Sequence, residues 1–372
     1  MSSVPPRLPL PADQLPEKIR RFGDPAAPKG ARTMAARGLV PIQGANLLML
    51  LTQLAADPDS DIADAAHASL MKMPPEVIVP ACKAELHPSA VDSLANILRE
   101  NDDAIEALVL NAGMTDYTLE RVARQASESI GELIAINQER LLAAPQIVEA
   151  LYKNKNVRMS TADRMVELCA RNGVELSAIP AFQAHAEAIK GQLIPEPSDE
   201  PLPSDVDFKL AATEVADEDA FDVDIVEKTE EVKDKFKPLS FRIQQMTIAE
   251  KIRLAVVGDA AARAMLVRDP NRLVSHAAIS SPSMTENEAS GIANSRNVSD
   301  DILRYIGNRK EWLRSYEIKR SLVTNPKTPI GISLRFLGHL RANDLKMLAR
   351  SRGIPGPLKT AARNRMAKKG AT

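Results

Sequence analysis

Between Arg304 and Arg320 six basic side chains, Arg304, Arg309, Lys310, Arg314, Lys319 and Arg320, crowd a stretch that also holds Tyr305, Trp312 and Tyr316. Guanidinium and ammonium groups at this density bind polyanions, either the carboxylates of an acidic protein or the phosphates of a nucleic acid. The run continues through Arg341, Lys346, Arg350 and Arg352 to Lys359, Arg363, Arg365, Lys368 and Lys369. The six residues from Arg304 to Arg320 are therefore the candidate binding residues. An acidic protein partner and a nucleic acid both remain open on this reading.

The other chemistry-bearing residues do not converge. His67, His87, His185, His276 and His339 occur singly, without an HExxH pattern or a neighbouring cysteine, so no metal site is assigned. Asp57-Pro-Asp59-Ser-Asp61 starts like a calcium loop, but Ile62 and Ala68 stand where such a loop needs Gly and Glu. No glycine-rich phosphate loop and no GxSxG elbow is present. Cys82 and Cys169 lie in apolar helical contexts outside any CxxC, which points to buried, reduced thiols. No catalytic, cofactor or metal residue is assigned, and the chain is expected to be a non-enzymatic protein.

The elements that must position these residues are helices. Only 3% of the 372 residues are aromatic while 44% are hydrophobic, so the core is built from Ala, Leu, Ile, Val and Met. Apolar residues rarely alternate with polar ones over a strand's length, and no sheet is expected. The stretch from Asn137 to Arg158 recurs from Asn308 to Pro329 without a gap, matching Leu142 to Leu313, Ile147 to Ile318, Leu151 to Leu322 and Asn154 to Asn325. Trp312 falls on Leu141 and is a core candidate. Thr247 with Glu250, and Thr285 with Glu288, have capping-box spacing. Asn111, Asn154 and Asn172 fall at helix stops, where asparagine tolerates a left-handed cap. In Asn325-Pro-Lys-Thr-Pro329, Asn325 is expected to stop one helix and Thr328 to cap the next.

These features predict an all-α protein of two α-solenoid lobes related by internal duplication. A proline-rich disordered tail spans 1–14, the first helical lobe 15–194, an acidic disordered linker 195–240 and the second lobe 241–355. A basic helix or tail, expected to fray, covers 356–372. Charge is laid out unevenly. Residues 196–239 hold 15 Asp/Glu against 5 Lys/Arg, whereas residues 240–372 hold 24 Lys/Arg against 10 Asp/Glu, or +14. Inside the linker Phe221, Val223 and Ile225 alternate with acids and form a candidate docking motif for a basic, apolar surface.

The repeat units of about 20–25 residues, with their Asn-Pro-x-Thr-Pro punctuation, resemble HEAT-like and leucine-rich-repeat-variant α-solenoids. The chain is similar overall to uncharacterised bacterial solenoid proteins of the myxobacterial kind, over most of 15–194 and 241–355. The resemblance implies stacked helices, in folds that host scaffolds, adaptors and a few nucleic-acid enzymes alike. No leader pattern opens the chain and Leu39 to Ala56 is too polar to span a membrane, so a cytoplasmic protein is expected.

Overall fold

The computed structural model describes residues 4–213, 239–351 and 353–370, which form 24 α-helices and no strand. Two compact units divide the chain, Met1–Val174 and Glu175–Thr372. The first holds α1 (Glu17–Gly23), α2 (Lys29–Ala36), α3 (Gly44–Leu54), α4 (Ser60–Met71), α5 (Pro75–Lys83) and α6 (Pro88–Ile97). It continues with α7 (Asp102–Val109), α8 (Asp116–Gln125), α9 (Glu128–Ile136), α10 (Gln138–Ala143), α11 (Pro145–Lys153) and α12 (Met159–Arg171).

The second unit holds α13 (Phe182–Ile189), α14 (Pro203–Thr213), α15 (Leu239–Gln245), α16 (Ile248–Val257), α17 (Ala260–Leu266) and α18 (Arg272–Ile279). It continues with α19 (Glu286–Asn294), α20 (Asp300–Ile306), α21 (Tyr316–Thr324), α22 (Ile330–Leu337), α23 (Ala342–Arg350) and α24 (Gly356–Gly370). A 3-10 turn, Trp312–Arg314, sits between α20 and α21.

Most of these helices are too short to hold alone, and each covers the apolar face of a neighbour. Packing runs mainly to the helix two places along, as in α1 on α3, α3 on α5, α5 on α7, α16 on α18 and α19 on α21. That is the contact pattern of stacked helical hairpins. The duplication survives at the level of elements. Pro145 starts α11 and Tyr316 starts α21, Lys153 and Thr324 end them, and both pairs are 171 apart (316 − 145; 324 − 153). Ile147 and Ile318, Leu151 and Leu322, and Leu141 and Trp312 are buried in matching places.

A buried asparagine ties three such pairs of neighbours together. The Asn154 amide donates to the carbonyls of Ala123 (3.0 Å) and Ala126 (2.9 Å) at the end of α8, and its oxygen accepts the Asn156 N–H (2.9 Å). Asn325 does the same to Ala293 and Ser295 at the end of α19 (both 2.8 Å), while accepting from Lys327 (3.0 Å). Asn111 repeats it on Cys82 and Ala84 at the end of α5 (both 2.7 Å), accepting from Gly113 (2.8 Å). A helix leaves its last carbonyls without donors, and here a neighbour's side chain supplies them. Close approach also forbids a side chain at Gly113, where a Cβ would lie 2.4 Å from the Leu86 carbonyl oxygen.

The asparagines therefore stop helices by a different route from the one expected. No non-glycine residue among those described has positive φ, and Asn154 and Asn325 are extended. After Asn172 it is Gly173, at φ +67, that takes the left-handed position. Both capping boxes form, at Thr247 with Glu250 and Thr285 with Glu288. Thr328 does not cap α22, however. Pro329 precedes that helix with no side-chain cap, and the buried Thr328 hydroxyl has no partner.

Four segment expectations are also corrected. Leu10 of the expected tail 1–14 is wholly buried, and Gln53 pairs with it as a second peptide group would. The Leu10 N–H reaches Gln53 Oε1 (2.8 Å) and Gln53 Nε2 reaches the Leu10 carbonyl (2.7 Å). The unit boundary lies at Val174/Glu175 instead of 194, because α13 packs on α16 and α18. Within the expected linker 195–240, residues 203–213 form α14, which packs on α16; Phe221, Val223 and Ile225 lie outside the described residues. Finally, α24 packs on α22 and α23 with Leu358 and Ala362 buried, so residues from Gly356 belong to the stack.

Replacing Asn154 or Asn325 by Ala should cost about 3 kcal/mol, because two buried carbonyls lose their donors. Asn172→Ala, at an exposed asparagine bonded only within its own helix end, should stay within about 0.5 kcal/mol. Urea unfolding of the three variants checks this. Equal shifts would mean that the bridging amides carry no special weight.

Candidate functional site

The structure distributes the six basic candidates over α20, the following loop, the 3-10 turn and α21. Arg304 is exposed on α20, 3.6 Å from Asp300. Arg309 donates to the Tyr305 hydroxyl (2.7 Å), pairs with Glu311 (3.2 Å) and lies over the rings of Trp312 (5.2 Å) and Tyr305 (5.9 Å). Tyr305 in turn meets His276 edge-on at 5.3 Å. Arg320 pairs with Glu317 and with Asp344, both at 3.3 Å. Three of the six thus have a carboxylate of their own chain beside them, while Lys310 and Arg314 are exposed. Trp312 is buried, Tyr305 lies against His276 and Trp312, and the Tyr316 ring lies under the Arg341 guanidinium.

Of the six, Arg320 lines a cleft of about 630 Å³ across α19, α21 and α23. Each helix contributes a stripe at helical spacing. These are Asn287, Ser290 and Asn294 from α19, Glu317, Arg320 and Thr324 from α21, and Asp344, Met347 and Ser351 at and just beyond α23. Positions i, i+3 and i+7 share one helix face, so the three stripes lie side by side. Arg296 also lines the cleft. Amides and hydroxyls line it together with two guanidinium groups, Arg296 and Arg320, and two carboxylates, Glu317 and Asp344, a set that suits recognition of peptide backbone by hydrogen bonds.

Asp344 fixes the geometry of this groove. The Tyr316 hydroxyl, at the start of α21, donates to Asp344 and accepts the Arg341 N–H (2.9 Å), while the Arg341 guanidinium lies 4.5 Å over the Tyr316 ring. The first turns of α21 and α23 are thereby held together at one rim. Loss of solvent raises the Tyr316 pKa above its ordinary 10.0, and donation to the Asp344 carboxylate raises it further. Neither Tyr316 as a linchpin nor Asp344 was identified by sequence reasoning. They lie 28 residues apart, at the starts of two helices that nothing local in the sequence pairs.

Other titratable groups are spent on the fold. Asp59 caps α4 and pairs with Lys29, whose hydrogen bond holds its carboxyl below the ordinary range. Asp57 pairs with Arg32, so the calcium-like loop is an interhelical connection with its own counter-ions. His87 caps α6 through Nδ1 and burial lowers its pKa. Burial pushes the Cys82 and Cys169 thiols up to about 11, which leaves them unreactive. Among the described residues no cluster of His, Cys, Asp and Glu could hold a metal ion, and no helix is long and apolar enough to cross a membrane.

Because folding raises the Tyr316 pKa, the hydrogen bond it donates to Asp344 contributes fully below pH 10 and is lost as pH rises through the folded-state value, while the bond from the Arg341 N–H persists. Wild type should therefore lose stability above pH 10 faster than Tyr316→Phe, and by about 1 kcal/mol more in total. Parallel pH-dependent denaturation of the two proteins measures the difference, and identical alkaline profiles would contradict it. No protein-family model, curated protein or solved structure matches this chain.

Proposed function

We propose that this chain is a non-enzymatic helical-repeat adaptor, of the HEAT-like kind its repeats resemble. Its second unit would hold an extended, acidic segment of a partner protein in the groove across α19, α21 and α23. The observation that carries this reading is the set of three adjacent, mostly polar stripes, with Arg320 in the middle one and Arg296 lining the cleft beside them. Helices packed about 9 Å apart put the outer stripes about 18 Å from each other. That distance matches about six residues of extended chain at about 3.3 Å each.

The charge layout favours an acidic occupant, since 24 basic residues face 10 acidic ones over residues 240–372. The acidic stretch 196–239 is tethered to the same unit and would screen it from unwanted polyanions until the partner displaces it. Two free, buried cysteines suit a reducing, cytoplasmic setting.

Fluorescence anisotropy of a labelled six-residue Asp/Glu-rich peptide, duplex DNA and single-stranded DNA against the full chain tests the reading. The peptide should bind and be weakened about tenfold by the double change Arg296→Gln with Arg320→Gln. Deleting 214–238 should strengthen it. Micromolar DNA binding that falls steeply with salt, and that Arg309→Gln, Lys310→Gln, Lys319→Gln and Arg320→Gln together abolish, would replace this reading with nucleic-acid binding.

A further inference from the structure

The helix α14 is attached to the second unit unlike its neighbours. Residues 190–202 before it carry no helix, and residues 214–238 separate it from α15. Its packing partners are α15 and α16. Pro203 at its first position and Asp205, which accepts the Leu202 N–H at 3.0 Å, start the helix. One large side chain seals it. Phe208 is 1% exposed, with the Arg253 guanidinium 4.9 Å over its ring, and Ala211 and Ala212 fill the remaining contact. Val206, the other sizeable apolar residue of the first two turns, is exposed.

The surface beneath carries two arginines. Arg253, wholly buried, lies over the Phe208 ring, and Arg242, nearly buried, lines the same cleft as Asp207. Yet α14 fills its seat incompletely. A cleft of about 300 Å³ remains at the junction with α15 and α16, lined by Ser204, Phe208, Phe241, Arg242 and Gln245. Ser204 and Phe208 are four residues apart and share a helix face, so a larger side chain at the Ser204 position would enter this cleft.

We propose that the α14 seat is a binding site for a helical segment of a partner protein, an acidic amphipathic helix with aromatic residues at i and i+4. In the partner's absence α14 occupies the seat as a stand-in. The seat is separate from the α19–α21–α23 groove, and neither reading depends on the other. A helix tethered at an effective concentration of about 1 mM weakens a rival by about 100-fold when the intrinsic Kd is about 10 μM. The seat is thus closed to weak ligands and open to a better-fitting one.

The test titrates fluorescein-labelled peptides of residues 199–213, with and without Ser204→Phe, against the full wild-type chain and the full Phe208→Ala chain. Both peptides should bind the Phe208→Ala chain at least tenfold tighter than wild type, and the Ser204→Phe peptide should bind several-fold tighter than its parent. Equal affinity for the two chains, or no gain from Ser204→Phe, overturns the proposal. Hydrogen exchange on wild type gives a readout independent of the variant's folding. Amides of α14 should exchange at least tenfold faster than those of α16, and equal protection would make α14 an integral helix and overturn the idea.

Discussion

A short helix ends with carbonyls that no residue of its own can satisfy, and a stack of short helices multiplies that problem. Asn111, Asn154 and Asn325 answer it with the neighbour's side chain. Two amide hydrogens take two carbonyls of the preceding helix's end, and the amide oxygen takes an N–H of its own next turn. Every hydrogen-bonding atom of the side chain's amide oxygen and nitrogen is engaged, so burying it is tolerable. Because both partners are backbone, the bond fixes one helix end against the next irrespective of which residues face each other. At Ser281, 170 residues after Asn111, the shorter side chain accepts from the Ser283 N–H at 3.4 Å. In that region Arg263 reaches the Gly258 carbonyl (2.8 Å) and pairs with Glu288 (2.8 Å).

Charged side chains follow the same logic. Arg121 with Asp92, Arg140 with Asp116, Arg158 with Glu128 and Arg164 with Glu132 each join successive repeats at 2.7–2.9 Å. Such part-exposed pairs contribute little individually, on the order of 0–1 kcal/mol. Their consequence is positional. Of the six basic candidates between Arg304 and Arg320, Arg320 is tied to another helix, through Asp344 of α23, whereas Arg304 and Arg309 find their carboxylates, Asp300 and Glu311, within a few residues.

Periodicity and capping were legible because they are local. The all-α class and both Thr–Glu boxes follow from residues a few positions apart, and the 171-residue duplication from comparing two such local patterns along the chain. Burial of Ile147, Leu151 and Trp312 follows from the same spacing. The partner of a side chain 30 residues away was not legible. Asn154 reads as a helix stop, but nothing near it reveals that its donors go to Ala123 and Ala126. The same blindness turned the 1–14 segment into a disordered tail, since only Gln53, 43 residues on, shows why Leu10 is fixed.

The acidic stretch shows where composition and structure part. Low hydrophobicity and many acids predict disorder when a segment must supply its own core. Residues 203–213 do not need to, because α16 and α15 supply it, and one phenylalanine is enough to use it. Val206 exposed and Phe208 buried are two residues apart, so the segment has a definite face despite a composition that hides it. The docking motif expected at Phe221, Val223 and Ile225 rested on alternation with acids. Phe208 satisfies a different pattern, with Pro203 and Asp205 starting a helix that carries Phe208, Ala211 and Ala212 on one side. A single aromatic residue in an acidic segment is therefore best judged by its helical neighbours at three and four positions, because that face is what a stacked-helix surface can receive.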